Sequence, residues 1–180
     1  MYDGTIGRKM TVAGAGIALM AAVAAGFDGN PASQDLPPAW IDGKLPILQF
    51  QKDAVRNRAW ALTPAGVFVV DLKTRRTVAH VPLPGWNWAG EPYGCTPSLA
   101  LGPQGAALVS SDVVPTLWRI DPRTLAVSRH ELVLDADSGR DVGFSGLSYS
   151  ARQATYIAVA CGQGSIWRVD SSLKRGQKVS

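Results

Sequence analysis

The sequence predicts an all-β fold built from small antiparallel sheets. The 180 residues include 19 glycines and 12 prolines, a composition typical of a chain with many turns. Beyond residue 44, no apolar i, i+3, i+4, i+7 stripe indicates a helix. Short runs rich in β-branched and aromatic residues alternate with turn residues instead, at 58–63, 67–71, 106–111, 116–121, 154–160 and 165–170.

An internal repeat organises these runs. Three segments align, at 46–83, 97–134 and 145–179. A leucine, an aromatic residue and an aspartate recur in them, at Leu48, Leu99 and Leu147, at Phe68, Trp118 and Trp167, and at Asp71, Asp121 and Asp170. The aspartates are 50 and 49 residues apart. Such a period is long for a helical repeat and matches a four-stranded β-propeller blade.

Each repeat divides into four predicted strands. The inner strands are expected at 46–50, 97–101 and 145–149, and the outer fourth strands at 77–82, 126–132 and 176–179. The recurring aspartate is predicted to accept hydrogen bonds from backbone amides in the turn between strands three and four. Blades are therefore expected at about 45–94, 95–144 and 145–180. We expect the recurring aromatic residues to pack between neighbouring blades, rather than to line a binding site.

The repeats resemble the blades of YVTN- and NHL-type β-propellers over residues 45–180. The features that carry the resemblance are the inner strand, the hairpin near 102–112, the Leu117–Thr124 segment and the returning outer strand. The resemblance implies a partial propeller of three blades, whereas closed propellers commonly have four to eight. The uncovered blade faces imply one of three states: a homodimer, completion by a propeller-like or other protein partner, or a fragment of a longer propeller protein.

The N-terminal segment is typical of a signal peptide. Arg8 and Lys9 precede an uncharged run from Met10 to Phe27, and 22–24 provides a small-residue cleavage site. We expect cleavage after Ala24, a linker over 25–44, and a periplasmic or secreted protein. The alternative is an uncleaved membrane anchor, which is the only way in which we expect the chain to contact a membrane.

Two connectors between the blades carry the least repetitive residues. Connector 1, residues 84–95, contains Trp86, Trp88, Glu91 and Tyr93, which are candidate ligand-binding residues because rigid aromatic side chains favour recognition. The alternative is that this loop folds over its own aromatic plug. Connector 2, residues 135–144, is expected to emerge on the same face as connector 1.

Connector 2 contains a possible calcium loop. Asp135, Asp137 and Asp141 are spaced so that a tight turn could gather their carboxylate oxygens around a hard cation. The alternative is a solvated acidic turn partly neutralised by Arg140. No other cofactor is expected.

The two cysteines form a possible disulfide. Antiparallel strand order places Cys95 and Cys161 at the same end of adjacent blades. After export, a bridge between them would close a long loop. The alternative is two buried thiols that behave as small hydrophobic side chains.

The remaining motifs favour a protein without enzymatic activity. The chain contains no nucleophile elbow, no phosphate-binding loop and no zinc motif, and its two histidines, His80 and His130, lie on separate outer strands. The scattered positive charge does not indicate nucleic-acid binding. We therefore expect an exported binding or scaffold protein. The alternative is a lactonase-like or quinoprotein-like propeller enzyme that uses calcium.

Overall fold

A computed structural model describes residues 45–90, 95–137, 140 and 142–180. All regular structure in these residues is β-strand, apart from two short 3-10 turns at Pro103–Gly105 and Cys161–Gln163. Among the described residues, no helix has the length and apolar character needed to cross a membrane. The expected signal peptide at 1–24 and linker at 25–44 lie outside the described residues.

Three sheets follow one another along the chain. Blade 1 contains β1 (Gln49–Asp53), β2 (Arg58–Thr63), β3 (Gly66–Asp71) and β4 (Thr77–Val81). Blade 2 contains β5 (Leu99–Leu101), β6 (Ala107–Ser110), β7 (Thr116–Ile120) and β8 (Val127–Glu131). Blade 3 contains β10 (Gly146–Ser150), β11 (Thr155–Ala160), β12 (Ser165–Val169) and β13 (Arg175–Lys178). The expected all-β architecture with blade-like sheets of four antiparallel strands is confirmed.

Blade 3 also has a fifth strand, which the sequence did not predict. The short strand β9 (Val133–Leu134) leaves blade 2 and pairs in parallel with β13 of blade 3. Backbone bonds continue this pairing, since the Val133 amide donates to the Lys174 carbonyl and the Asp135 amide donates to that of Gly176. The chain therefore joins the outer edge of blade 3 before it reaches that blade's inner strand.

The strand register corrects the repeat alignment at one position. Leu99 pairs with Val109, which pairs with Trp118, and Leu147, Ala158 and Trp167 form the same row in blade 3. The corresponding row in blade 1 is Phe50, Ala61 and Phe68. The predicted equivalence of Leu48 with Leu99 was therefore wrong by two residues. A two-residue shift keeps the same face of the strand, so the hydrophobic pattern alone could not detect it.

Apolar clusters join neighbouring blades. We call the face of each blade toward the next blade in sequence its trailing face, and the opposite face its leading face. Trp60, Leu62 and Val69 on the trailing face of blade 1 form one cluster with the leading face of blade 2. Leu108 and Leu117 begin a second cluster with blade 3. Because successive strand residues point to opposite faces, blade 2 contributes to both clusters.

The recurring aromatic residues occupy the leading faces. Trp118 and Trp167 are fully buried between blades, and the Trp118 indole N–H donates to the Pro84 carbonyl at 2.9 Å. Phe68 stacks on His80 with ring centroids 4.4 Å apart. Trp118 and Trp167 therefore pack between blades, as the repeat predicts, whereas Phe68 lies on the leading face of blade 1, which no described blade precedes.

The recurring aspartates organise the turns between the third and fourth strands. Asp121 Oδ1 accepts bonds from the amides of Arg123 and Thr124 at 2.8 and 2.9 Å. Asp71 accepts the Thr74 amide at 2.6 Å, and Asp170 accepts two amides at 2.9 Å in the corresponding turn. Hydrogen bonds from Thr74 lower the pKa of Asp71, and those from Thr124 and Arg123 lower the pKa of Asp121.

Polar contacts add to the packing between inner strands. The Gln49 side-chain oxygen accepts the Leu99 amide at 3.2 Å, and Ser98 Oγ accepts the Leu147 amide at 3.0 Å. Gln49 and Ser98 hold equivalent register positions, and the third such position is Gly146. This side-chain contact links blade 1 to blade 2 and blade 2 to blade 3. Gly146 has no side chain, so the same contact cannot continue beyond blade 3.

Candidate functional site

Both connectors border one cleft of about 400 Å³. Connector 1 supplies Ala89 and Cys95, and connector 2 supplies Gly143. The remaining lining comes from the turn after β6 and from the start and turn of blade 3, namely Asp112, Val113, Ser145, Cys161 and Gly162. The prediction that the connectors emerge on the same face agrees with this arrangement. We call this feature the connector cleft.

The segment Ser110–Asp112 holds connector 1 in place. The Trp86 indole N–H donates to the Ser110 carbonyl at 2.9 Å, and Ser111 Oγ donates to the Asn87 carbonyl at 2.6 Å. The Ala89 amide donates to Asp112 Oδ1 at 3.0 Å. Each of these three successive residues of blade 2 therefore makes one hydrogen bond with connector 1. Together the bonds fix the path of the connector over the blade.

The same segment holds connector 2 from the other side. The Phe144 amide donates to the Ser111 carbonyl at 2.6 Å, and Ser110 Oγ donates to the Phe144 carbonyl. A Cβ at Gly143 would lie 1.9 Å from the carbonyl carbon of Asp112. Only glycine allows the two backbones to approach this closely, so the rear of the cleft is closely packed.

A disulfide forms one wall of the cleft. Cys95 and Cys161 are bonded, with their Cα atoms 6.1 Å apart. The bond joins the segment before β5 to the turn after β11, and so connects blades 2 and 3 through their loops. No free cysteine remains in the described residues.

Asp112 is the one titratable side chain among the described residues that line the cleft. Burial raises the pKa of the Asp112 carboxyl, against the opposing effect of the hydrogen bond from the Ala89 amide. No lysine, arginine or histidine of the described residues forms an ion pair with it. The cleft therefore contains a partly desolvated carboxyl group that has no cationic partner within residues 45–90, 95–137, 140 and 142–180.

The predicted ligand-binding residues of connector 1 are only partly described. Trp86 packs against the cluster between blades 1 and 2 and lies 6.4 Å from Trp88, with the rings stacked. Trp86 therefore anchors the loop, and Trp88 is half-buried beside it. Glu91 and Tyr93 lie outside the described residues, and ligand binding by these four residues stays a prediction.

The predicted calcium residues lie at the outer edge of blade 3. Asp135 Oδ1 accepts the Lys178 amide at 2.8 Å, and Asp137 Oδ2 accepts a bond from Lys178 Nζ at 2.8 Å. Arg140 lies 3.8 Å from the other Asp137 oxygen. Lys178 is therefore the nearer cationic partner of Asp137, and Arg140, which the alternative named, is the more distant one. Asp141 lies outside the described residues, so the calcium loop stays a prediction.

Sequence reasoning missed Asp112. Its signal was the polar run Ser110–Asp112, which begins at the last residue of a fully buried strand and contrasts with Leu62–Pro64 at the same register position in blade 1. The run has no catalytic or metal-binding spacing, and its partners lie 23 to 34 residues away. Local patterns could not show that it joins both connectors.

Solved structures with a similar fold are β-propeller proteins. The chain matches virginiamycin B lyase from Staphylococcus aureus at a TM-score of 0.51 and 13% identity, over 68% of this chain and 37% of the lyase. It matches the β-propeller domain of Cps50 (Swd1) from Myceliophteria thermophila at a TM-score of 0.53 and 16% identity, over 82% of this chain and 47% of that chain. No protein-family model and no curated protein matches the sequence.

The sheets, their order along the chain and the similar solved structures define the class of protein. The described residues form part of a β-propeller, as the resemblance to propeller repeat proteins implied. The chain spans less than half the length of both propeller proteins. At this level of identity the similarity establishes the fold and not an activity.

Proposed function

We propose that this chain is an exported, non-enzymatic binding or scaffold protein whose partial propeller is completed by a further blade-like sheet from a second polypeptide. The observation that carries the proposal is the trailing face of blade 3. In blades 1 and 2, the trailing face packs against the next blade. In blade 3, no described blade packs against it.

The trailing face of blade 3 exposes apolar side chains. Val159 and Ile166 pair across β11 and β12 and are 39% and 41% exposed. Val179, beside Ile166, is 55% exposed, whereas the corresponding faces of blades 1 and 2 are closed by apolar clusters. A row of exposed aliphatic residues on a sheet face favours association, because covering it removes apolar area from water.

A second copy of this chain is one source of the covering sheet. Phe50 on the leading face of blade 1 is 53% exposed. It holds the same register position as Leu99 and Leu147, which pack against the preceding blade. Two copies would give six blades, which is within the usual range for closed rings. The other source is a different propeller-like protein.

The disulfide supports the proposed export. Disulfides persist in oxidising compartments such as the periplasm and the extracellular space, and are rare where thiols are kept reduced. Cys95 and Cys161 are joined in the structure and connect two blades. A structural bond of this kind is consistent with the signal peptide that the N-terminal sequence predicts.

The test is the solution mass of the purified protein and of an Ile166→Glu variant, by sedimentation velocity. We expect a dimer that the substitution converts to monomer, because a buried unpaired carboxylate opposes sheet packing. Val55→Glu is a matched control, since Val55 is 91% exposed in a turn of blade 1. A dimer unaffected by Ile166→Glu would contradict the proposed surface. A cooperatively melting monomer that captures no propeller-like protein would contradict completion by a second polypeptide.

The calcium-dependent enzyme is a separate prediction. Among the described residues, no three His, Cys, Asp or Glu side chains come together in a metal-binding group. Melting in the presence and absence of millimolar calcium tests this alternative directly, because a bound ion raises the melting midpoint by mass action.

A further inference from the structure

We propose that the connector cleft binds the ammonium group of an aliphatic amine, with the Asp112 carboxylate as its counterion. This inference rests on the proposed binding function, and it names a ligand chemistry for a site that the sequence did not reveal. It depends on three features of the cleft: its charge, its lining and its fixed shape.

The charge of the cleft favours a cation. Asp112 borders the cleft and forms no ion pair within the described part of the chain. The hydrogen bond from the Ala89 amide stabilises one of its oxygens, and burial still raises its pKa. A ligand that carries a positive charge would offset the desolvation of the carboxylate, which a neutral or anionic ligand cannot do.

The lining favours an aliphatic stem behind that charge. Beside Asp112, the cleft is bounded by Val113, the disulfide and two glycines, with Ser145 as the other polar side chain. A volume of about 400 Å³ lies toward the lower end of the range of ligand pockets. These dimensions suit an alkylammonium group, which is present in a lysine side chain of a partner protein and in a free amine.

The cleft is also held in a fixed shape. The disulfide in its wall joins the segments of blades 2 and 3 that line the cleft, and Gly143 packs closely against the Asp112 backbone. The bonds from Trp86 and Ser111 to blade 2 and connector 1 hold the loop beside Asp112. A preorganised site loses less entropy on binding, so a small cation can bind with measurable affinity.

The experiment is calorimetric titration of the full protein with n-butylammonium, n-butanol and n-butyrate. We expect binding of the ammonium probe alone, and a loss of about tenfold in affinity for Asp112→Asn, as one lost charge-assisted contact corresponds to roughly that factor. Glu131→Gln is the matched control, because the Glu131 side chain is 74% exposed on the edge of blade 2. Affinity should also fall as the pH drops and Asp112 becomes protonated.

A second variant tests the cleft without changing its charge. Gly162 lines the cleft and a Cβ there would meet no atom within 4 Å, so we expect Gly162→Leu to fold normally and to occupy part of the cleft. We expect it to weaken butylammonium binding at least as much as Asp112→Asn does. Equal binding of butanol and butylammonium, or unchanged affinity in both variants, would overturn the inference.

Two further arms separate the possible outcomes. A peptide with an acetylated N-terminus and one free lysine side chain that binds at least tenfold more tightly than butylammonium identifies a protein side chain as the source, and equal affinity identifies a free amine. Sedimentation of the same variants separates this inference from the proposed function. If the ammonium probe does not bind while association through blade 3 persists, the inference fails and the proposed function stands.

Discussion

Replacing Trp118 with alanine tests whether the blades are stabilised by their shared faces. Trp118 is fully buried in the cluster between blades 1 and 2, and its indole N–H donates to Pro84. Removing a buried aromatic side chain of this size costs about 3–5 kcal/mol in the free energy of unfolding. For a domain of this length that corresponds to a melting temperature lower by roughly 10–20 °C.

A graded series separates packing from hydrogen bonding. Trp118→Phe keeps most of the ring and loses the hydrogen bond to the exposed Pro84 carbonyl, which water can replace, so we expect a loss of about 1–2 kcal/mol. Val55→Ala, at a side chain that is 91% exposed, should stay within about 0.5 kcal/mol of the parent protein. Urea unfolding followed by circular dichroism measures all three free energies.

The shape of the transition gives a further check. Since blade 2 contributes to both clusters, we expect all three blades to unfold in one cooperative step, in the parent and in Trp118→Ala. A cost below about 1 kcal/mol for Trp118→Ala, with an unchanged single transition, would refute the argument that the inter-blade cluster holds the sheets together.

Three other predictions address the loops. Replacing Cys95 and Cys161 together with serine should lower the free energy of unfolding by about 4 kcal/mol in the loop-closure model, and equal urea midpoints for the oxidised parent and the double variant would contradict this. Gly143→Ala, whose Cβ would lie 1.9 Å from backbone, should cost about 2–3 kcal/mol by thermal melting, whereas Gly162→Ala should be neutral. Asp121→Asn should reduce the loss of stability at acid pH. Hydrogen bonds lower the folded-state pKa of Asp121, so its contribution to the free energy of unfolding is present above the unfolded pKa of about 3.8. That contribution is lost as the pH falls through the lowered folded-state pKa. Melting temperatures that fall equally in the parent and in the variant as the pH is lowered below about 4 would contradict that role.

Much of the fold follows from local sequence patterns. The aspartate that begins each turn between the third and fourth strands, the apolar runs of the second and third strands, and the buried aromatic residue of each leading face recur with the period of one blade. These features depend on neighbours in the same hairpin, so the amino-acid order alone specifies them. The start of β1 was less predictable, because its register with β2 allows a two-residue shift without changing which face is apolar.

The candidate site depends on the tertiary structure. Asp112 contacts Ala89 of connector 1 and Gly143 of connector 2. The pairing of Val133–Leu134 with blade 3 places Asp135 at the outer edge of that blade, away from the connector cleft. These contacts join residues that are distant along the chain and that repeat nowhere else in it. A repeating pattern can specify which side of a sheet is buried, but the position of an unrepeated loop is decided by the surfaces that it meets after the blades have packed.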